Sequence, residues 1–277
     1  MKKLFVVIVF TQLSIYLKCE ELKYASIDIL GGGIVAGIQS CFSQKPTIKS
    51  ISKAFYKGCI GGAIQHSSKL LIKQSALNNN FDLVWPARIC NSLGTSIIYN
   101  ASQNKGLFDE FYMQFYFMYL KYDVKNNKFN TKVDIITSVN SLYMCINNNY
   151  KFNFIKSLKL NVLYFDNYEE QEIKPYVLGR AIGNSMYVVK QKFYRLDNEG
   201  NYYEIDKNLT VRHEFIHILQ YEQYIPLNSI SIDKLHIKYV SDYCLLNINF
   251  GLLYFINDKI FGYDNNIFEK QANYYKK

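Results

Sequence analysis

Two apolar segments rich in small residues, 26–42 and 58–73, place the strongest limit on how this chain of 277 residues can fold. Each segment contains a pair of glycines separated by three residues, and these glycines are Gly33, Gly37, Gly58 and Gly62. Glycines at this spacing lie on one face of a helix and allow a second helix backbone to approach closely. A polar stretch that contains Pro46 separates the two segments, so the sequence predicts two helices packed as a tight hairpin.

The same segments leave open whether the hairpin associates with a membrane. A membrane-spanning helix needs about 20 consecutive apolar residues, whereas Asp28, Gln39 and His66 interrupt these segments. The GxxxG spacing by itself is a weak signal and does not decide between the two environments. Residues 26–73 are therefore interpreted either as a close-packed soluble hairpin or as a region that contacts a membrane.

The rest of the chain predicts an α+β fold in which helices precede strands. Trp85 and Pro86 open a third predicted helix that runs to about Gln103, because proline suits the first turn of a helix. From Phe108 onwards the chain is rich in aromatic residues, which favour strands. The predicted strands are 111–122, expected to form one central strand, then 132–147, 158–165, 184–196 and 202–205, with a hairpin loop at 197–201. Turns rich in Asn and Asp separate them, which is typical of an antiparallel meander.

The N-terminus indicates export. Two lysines precede an apolar run that ends at Leu17, which is the pattern of a signal peptide. The leader is assigned to residues 1–19, although small residues that would mark a cleavage site are missing. A lipid anchor at Cys19 is not favoured, because Lys18 fits that pattern badly. We expect a periplasmic, envelope-associated or secreted protein, with a mainly helical region at 20–105 and a second region at 106–277.

Charge and cysteine content exclude two classes of protein. The formal net charge is +9, but the lysines are scattered and form no basic stripe, so nucleic acid is not an expected partner. The five cysteines that follow Cys19 are widely spaced and contain no CxxC pair. They indicate neither a disulfide scaffold nor a cysteine-based zinc site, and we expect them to be buried as small apolar residues.

A helix of about four turns is predicted between Asn208 and Pro226. His213 and His217 lie one turn apart on it, so both imidazoles project from one face and can bind one tetrahedral Zn²⁺ with an open position for water. Glu214 follows the first histidine and can act as a general base towards that water. Two of the four histidines of the chain fall at this spacing, which favours metal binding over a solvated helix face.

The segment His213-Glu-Phe-Ile-His217 resembles the HExxH signature of the zincin metallopeptidases, and Gln220 extends it to the HExxHxxQ form of several bacterial branches. The resemblance covers mainly the C-terminal third of the chain. It implies that His213 and His217 are zinc ligands and that Glu214 is the catalytic base for the attack of water on a peptide or protein substrate. Gln220 lies about one turn beyond His217 and could hydrogen-bond a ligand.

The resemblance also suggests where a substrate would lie. Zincins place an edge strand above the active-site helix, where it pairs with an extended substrate, and the predicted strand 185–194 could fill this position. Tyr221 and Tyr224 could donate to a developing oxyanion.

The third ligand is less clear from the sequence. Metzincins continue the motif as HExxHxxGxxH, and Gln220 and Gln223 at the last Gly and His positions exclude that branch. Glu222 lies nine residues after His213, on roughly the opposite side of a continuous helix. The downstream candidates are Asp233, His236, Asp242, Asp258, Asp264 and Glu269.

Glu269 is preferred on the basis of a second resemblance. Asn266, Glu269 and Ala272 are similar to the Asn-x-x-Glu-x-x-Ala element that supplies a carboxylate from a second helix in Glu-liganded zincins. An asparagine before a short terminal helix is also a favoured cap. His236 or one of the aspartates remains the alternative.

Two functions are consistent with these patterns. The first is an exported zinc-dependent metallopeptidase, and the second is a non-catalytic envelope or membrane-associated protein with a structural or vestigial metal site. Glu214 favours the first, because a structural site needs ligands and no base. The long N-terminal region, which has no recognisable catalytic element, favours the second.

Overall fold

A computed structural model describes residues 19–42, 46–168, 178–190, 194–196, 202–204, 206–227, 243–247 and 249–277. The predicted leader, apart from the backbone of Cys19, and the predicted hairpin loop at 197–201 lie outside the described residues. The predicted α+β class is confirmed, because a helical N-terminal region is followed by small mixed sheets and a short C-terminal helix.

Eight α-helices lie in the described part of the chain. They are α1 (Cys19–Cys41), α2 (Ile48–Leu77), α3 (Val84–Ser102), α4 (Ile135–Ile146), α5 (Phe154–Leu160), α6 (Lys207–Gln223), α7 (Asn249–Phe261) and α8 (Ile267–Tyr275). Reciprocal hydrogen bonds between the side chains and backbones of Thr47 and Ser50 form a capping box that starts α2. The third predicted helix is confirmed as α3, which begins one residue before Trp85.

The tight helical hairpin is confirmed, but a different set of glycines forms it. A Cβ atom on Gly32 would lie 2.5 Å from the carbonyl oxygen of Gly58, and one on Gly62 would overlap the backbone of α1. A Cβ atom on Gly37, in contrast, would have its nearest neighbour, Phe55 Cβ, at 3.8 Å. The close approach of α1 and α2 therefore depends on Gly32, Gly58 and Gly62, and the predicted role of Gly37 is wrong.

The described strands form three sheets. They are β1 (Glu110–Phe115), β2 (Met118–Asp123), β3 (Lys128–Asp134), β4 (Tyr150–Phe152), β5 (Leu163–Asn167), β6 (Gly179–Ile182), β7 (Ser185–Val189), β8 (Tyr194–Leu196), β9 (Tyr202–Glu204) and β10 (Cys244–Leu245). The first sheet has the order β1-β2-β3-β10, an antiparallel meander to which β10 adds in parallel. The second has the order β4-β5-β7-β6, with β5 parallel to β7, and β8 pairs with β9.

Several predicted strand boundaries are wrong. Residues 111–122 form the hairpin of β1 and β2 rather than one central strand, because the chain turns at Tyr116, which has a φ of 51°. Most of 132–147 is helix α4, which starts because the side chain of Asp134 accepts hydrogen bonds from the backbone N–H groups of Ile136 and Thr137. Residues 158–165 are divided between α5 and β5.

The predicted edge strand is also corrected. Strand β7 begins at Ser185, as expected, but it is paired on both sides, with β5 and with β6. Among the described strands, β6 is the one at the edge of this sheet, and it lies against helix α6. The edge that faces the predicted active-site helix is therefore formed by residues 179–182.

Helix α6 runs through the main core. Its side chains Val211, Phe215, Ile218 and Leu219 are buried in one cluster with apolar residues of α2, α3, β5, β7 and α8. Asp206 caps the helix by accepting a hydrogen bond from the backbone N–H of Asn208. Both the N-terminal helices and the C-terminal region thus contribute to the packing that holds α6.

Two surface features bear on the sequence predictions. Within the described residues, every helix falls short of the length and apolar character needed to cross a bilayer. The cysteines with described side chains are free, and Cys41 and Cys145 are exposed, so the expectation that all five are buried is wrong.

Candidate metal centre

Helix α6 presents His213 and His217 on one face, as their spacing predicts. Their Nε2 atoms lie 3.1 Å apart. His217 is 6% exposed, and both rings line the floor of a cleft. The two nitrogens converge on one point because both rings project from successive turns of a helix that is fixed in the core.

Glu269 approaches the two imidazoles from helix α8. Its Oε2 lies 3.1 Å from His213 Nε2, and its Oε1 lies 3.2 Å from His217 Nε2. The side chain of Asn266 accepts a hydrogen bond from the backbone N–H of Phe268 and so caps α8, which puts Glu269 in the first turn. The structure brings the preferred third candidate next to both histidines.

The spacing of these donor atoms suits a tetrahedral ion. His213, His217 and Glu269 form a group that could hold a metal ion, with ligand atoms all within 4.8 Å of one another. Zinc with bonds of about 2.0–2.1 Å to nitrogen and oxygen separates tetrahedral ligand atoms by roughly 3.3 Å. The closest separations, 3.1 and 3.2 Å, are near that value, so the residues present fit a zinc ion.

The charges at this point favour a bound cation. Burial alone would raise the pKa of Glu269, but hydrogen bonds from His213 and His217 outweigh it and hold that pKa well below its usual range. Burial alone would lower the pKa of His217, but its hydrogen bond and charge attraction to Glu269 raise the pKa above its usual value. An ionised carboxylate is thus kept beside two imidazoles, and positive charge is stabilised between them.

Two tyrosines hold Glu269 from its other side. The hydroxyl of Tyr254 on α7 donates to Oε1 at 2.6 Å, and the hydroxyl of Tyr263 donates to Oε2 at 3.1 Å. Each carboxylate oxygen therefore has one tyrosine and one histidine as neighbours. Orienting hydrogen bonds of this kind commonly fix metal-binding carboxylates.

Glu214 lies beside this group, between α6 and strand β6. It is 6% exposed, and burial raises the pKa of its carboxyl group above the usual value, although the nearby His213 and His217 oppose this. The backbone N–H of Ala181 donates a hydrogen bond to it. The side chain also packs against Gly179, where a Cβ atom would lie 2.9 Å from Glu214 Cγ.

Gln220 contacts the distal side of His217. Its Oε1 lies 2.8 Å from His217 Nδ1, and its Nε2 donates to the carbonyl oxygen of Phe268 at 3.2 Å and to Gln271 Oε1 at 2.8 Å. The predicted contact of Gln220 with a ligand histidine is present in the structure. It leaves His217 Nε2 facing Glu269.

The cleft above the histidines has a volume of about 920 Å³. One wall is residues 178–182, which include β6, and the other is formed by α7 and the turn that follows it. Tyr221 lines the cleft, whereas Tyr224 stacks on Phe250 with ring centroids 6.1 Å apart and does not line it. Of the two tyrosines considered for oxyanion contact, only Tyr221 has access to the cleft.

The other candidate ligands occupy different positions. Glu222 points away from the site, as the helical wheel predicts, and its Oε1 lies 3.0 Å from a guanidinium nitrogen of buried Arg88. Asp258 and Asp264 line the cleft but are not part of the three-residue group. Asp233, His236 and Asp242 lie outside the described residues.

Sequence reasoning missed the residues that surround the three candidate ligands. Gly179, Ala181, Tyr254 and Tyr263 contact Glu214 or Glu269, but none has a local pattern that links it to them. With 25 tyrosines in the chain, composition could not single out two of them. Their roles depend on how strands and helices pack.

Comparisons of this chain with protein-family models, with curated proteins and with solved structures found no match. The resemblance to the zincins therefore rests on the motif residues, and function has to be argued from the geometry of the site.

Proposed function

We propose that the protein is a zinc-dependent metallopeptidase in which His213, His217 and Glu269 hold the metal ion and Glu214 is the general base. The observation that carries the proposal is the convergence of two imidazole nitrogens and a carboxylate at 3.1–3.2 Å, with a further buried carboxyl group beside them. A structural zinc site needs no such base and no adjoining cleft.

The side chains divide the reaction between them. Zinc bound by the three ligands would supply Lewis acidity towards the water and the substrate carbonyl. Glu214 takes a proton from the attacking water, whose oxygen forms a bond to the carbonyl carbon. When the C–N bond breaks, Glu214 delivers that proton to the leaving amine. Tyr254 and Tyr263 keep the Glu269 carboxylate in place.

The edge of strand β6 supports a peptide as the substrate. Residues 179–182 pair with β7 on one side and line the cleft on the other. An extended peptide could add to this edge through main-chain hydrogen bonds, which is a common mode of peptide recognition. Arg180, Ile182 and Phe255 would then contact its side chains.

Metal analysis after dialysis, together with cleavage assays on a quenched fluorescent peptide library, tests the proposal. Wild-type protein should bind about one zinc per chain, and His213→Ala should lose it. Glu214→Gln should retain zinc and lose hydrolysis, because it removes the base and no ligand. Unchanged metal content in His213→Ala would contradict the metal site.

The second candidate is a non-catalytic envelope or membrane-associated protein with a structural metal site. It would be supported by stoichiometric zinc in the wild type with no cleavage of any peptide in the library. The predicted signal peptide makes export part of either proposal, and cell fractionation would test it.

A further inference from the structure

We propose that Lys69, buried in the helical hairpin, fixes the tautomer of His217 through Gln271 and Gln220. The N-terminal helices would then position a ligand of the metal site. This inference rests on the proposed function for its purpose, although the contacts that carry it are independent of any metal ion.

Lys69 has no access to solvent and is surrounded by acceptors from three other helices. Its Nζ donates to Asp28 Oδ1 on α1 at 2.5 Å, to Gln271 Oε1 on α8 at 2.9 Å and to Gln223 Oε1 on α6 at 3.1 Å. A buried charge pair is costly to desolvate and is a weak source of stability, so a role in specificity is a reasonable explanation for its presence.

The ammonium group sets the direction of the next hydrogen bond. Lysine can only donate, so the amide of Gln271 must turn its oxygen towards Lys69. Its nitrogen then donates to Asp28 Oδ1 at 3.1 Å. Because the oxygen of Gln271 is held at this position, it also accepts from Gln220 Nε2 at 2.8 Å.

Gln220 transmits this direction to His217. Its amide nitrogen faces two acceptors, Gln271 Oε1 and the carbonyl oxygen of Phe268, so its oxygen must face His217 Nδ1 at 2.8 Å. An oxygen at this position requires a proton on Nδ1. The lone pair of the neutral ring then lies on Nε2, which faces Glu269 and His213.

A reversed Gln220 amide would have the opposite effect. Its NH₂ group would face His217 Nδ1 and favour the tautomer with the proton on Nε2, which cannot bind a metal ion through that atom. The reversal would also place the Gln220 oxygen against two other buried oxygens. Lys69 opposes it by fixing the orientation of Gln271.

The chain offers a matched pair of variants for the test. Gln271 and Gln223 both accept from Lys69 and both donate to Asp28 Oδ1, at 3.1 and 3.5 Å, but only Gln271 contacts Gln220. Gln271→Met should weaken zinc binding about 10- to 100-fold, the usual effect of losing an outer partner of a ligand histidine. Gln223→Met should leave the zinc affinity unchanged, measured by competition with a chromophoric chelator.

The tautomer itself can be read without metal. Histidine-selective ¹⁵N NMR on metal-free protein, in a Glu269→Ala background that removes the competing acceptor at Nε2, reports which nitrogen carries the proton when the ring is neutral. The parent and Gln223→Met should show the proton on Nδ1, and Gln271→Met should show a substantial Nε2-protonated fraction.

Each result decides the inference. Equal effects of the two variants on affinity and tautomer, or no effect of Gln271→Met, would overturn it. If Gln271→Met does not fold, Lys69→Met combined with Asp28→Asn removes the charge pair together and should shift the tautomer in the same way. Wild-type protein that binds no zinc would refute the proposed function, while the NMR comparison would still test the hydrogen-bond chain.

Discussion

Gly179 and Glu214 are in such close contact that a Cβ atom on Gly179 would lie 2.9 Å from Glu214 Cγ. The same atom would lie 2.9 Å from Thr210 Cγ2, so strand β6 meets helix α6 with no room for a side chain. This contact brings the Ala181 backbone N–H to the Glu214 carboxylate. It connects the proposed substrate-binding edge to the proposed general base.

Gly179→Ala should therefore displace Glu214 or strand β6 and reduce kcat while zinc remains bound. A displacement of about 1 Å at a catalytic group can cost on the order of 100-fold in rate. Kinetics with a cleaved peptide and metal analysis would be measured on the same sample. Gly251→Ala is the control, because it lines the same cleft and its Cβ would have its nearest neighbour, the Tyr221 hydroxyl, at 3.8 Å. Equal losses in both variants would contradict the role of the Gly179 contact.

Glu269→Gln should weaken zinc binding strongly, because it removes the anionic ligand that faces both imidazoles. His236→Ala should leave the zinc affinity unchanged. The two dissociation constants, measured by chelator competition, discriminate between the two third ligands that the sequence left open. The reverse ranking would show that Glu269 is not the ligand.

Gly62→Ala should destabilise the helical hairpin, because its Cβ would overlap the backbone of α1. Overpacking of this kind typically costs about 1–3 kcal/mol in the free energy of unfolding. Gly37→Ala is the matched control on α1, where the nearest atom would be 3.8 Å away and the helix propensity of alanine should add about 0.5–1 kcal/mol. Urea unfolding of the two variants would test this, and equal stabilities would show that the hairpin contact is misassigned.

Glu222→Leu should destabilise the fold and leave the metal site intact. Glu222 and Arg88 form a buried ion pair at 3.0 Å, and loss of one partner of such a pair costs about 3–5 kcal/mol. Replacing both, as Arg88→Met with Glu222→Leu, should recover much of that stability, because no buried charge is left without a partner. Denaturant unfolding combined with zinc titration would measure both effects. Loss of zinc from folded Glu222→Leu protein would reopen Glu222 as a ligand.

Tyr254→Phe should weaken zinc binding more than Tyr263→Phe. The Tyr254 hydroxyl lies 2.6 Å from Glu269 Oε1, whereas the Tyr263 hydroxyl lies 3.1 Å from Oε2. Each change removes one hydrogen bond to a candidate ligand and keeps the ring, and losses of an outer partner are usually about 10- to 100-fold. Chelator competition would give the ranking, and equal affinities for wild type and both variants would exclude this support.

Strands show most clearly where sequence reasoning fails for this protein. Residues 135–146 contain Ile, Thr and Val, which favour strands, yet Asp134 caps them as a helix. Tyr116 turns the chain between β1 and β2 without a Gly, Pro or Asn signal. Both outcomes depend on how the segment packs against its neighbours, and aromatic content does not record that.

The sequence by itself determined the helices and the part of the candidate site that lies within one helical turn. The spacing of His213, Glu214, His217 and Gln220 fixes their common placement on α6, because a helix repeats every 3.6 residues. Only the tertiary structure decided the rest. It brought Glu269 to the two histidines from α8, set β6 rather than β7 at the edge, and linked Lys69 to Gln271 across 202 positions of the chain. Contacts between distant segments depend on the packing of whole elements, for which a single sequence has no periodic signal.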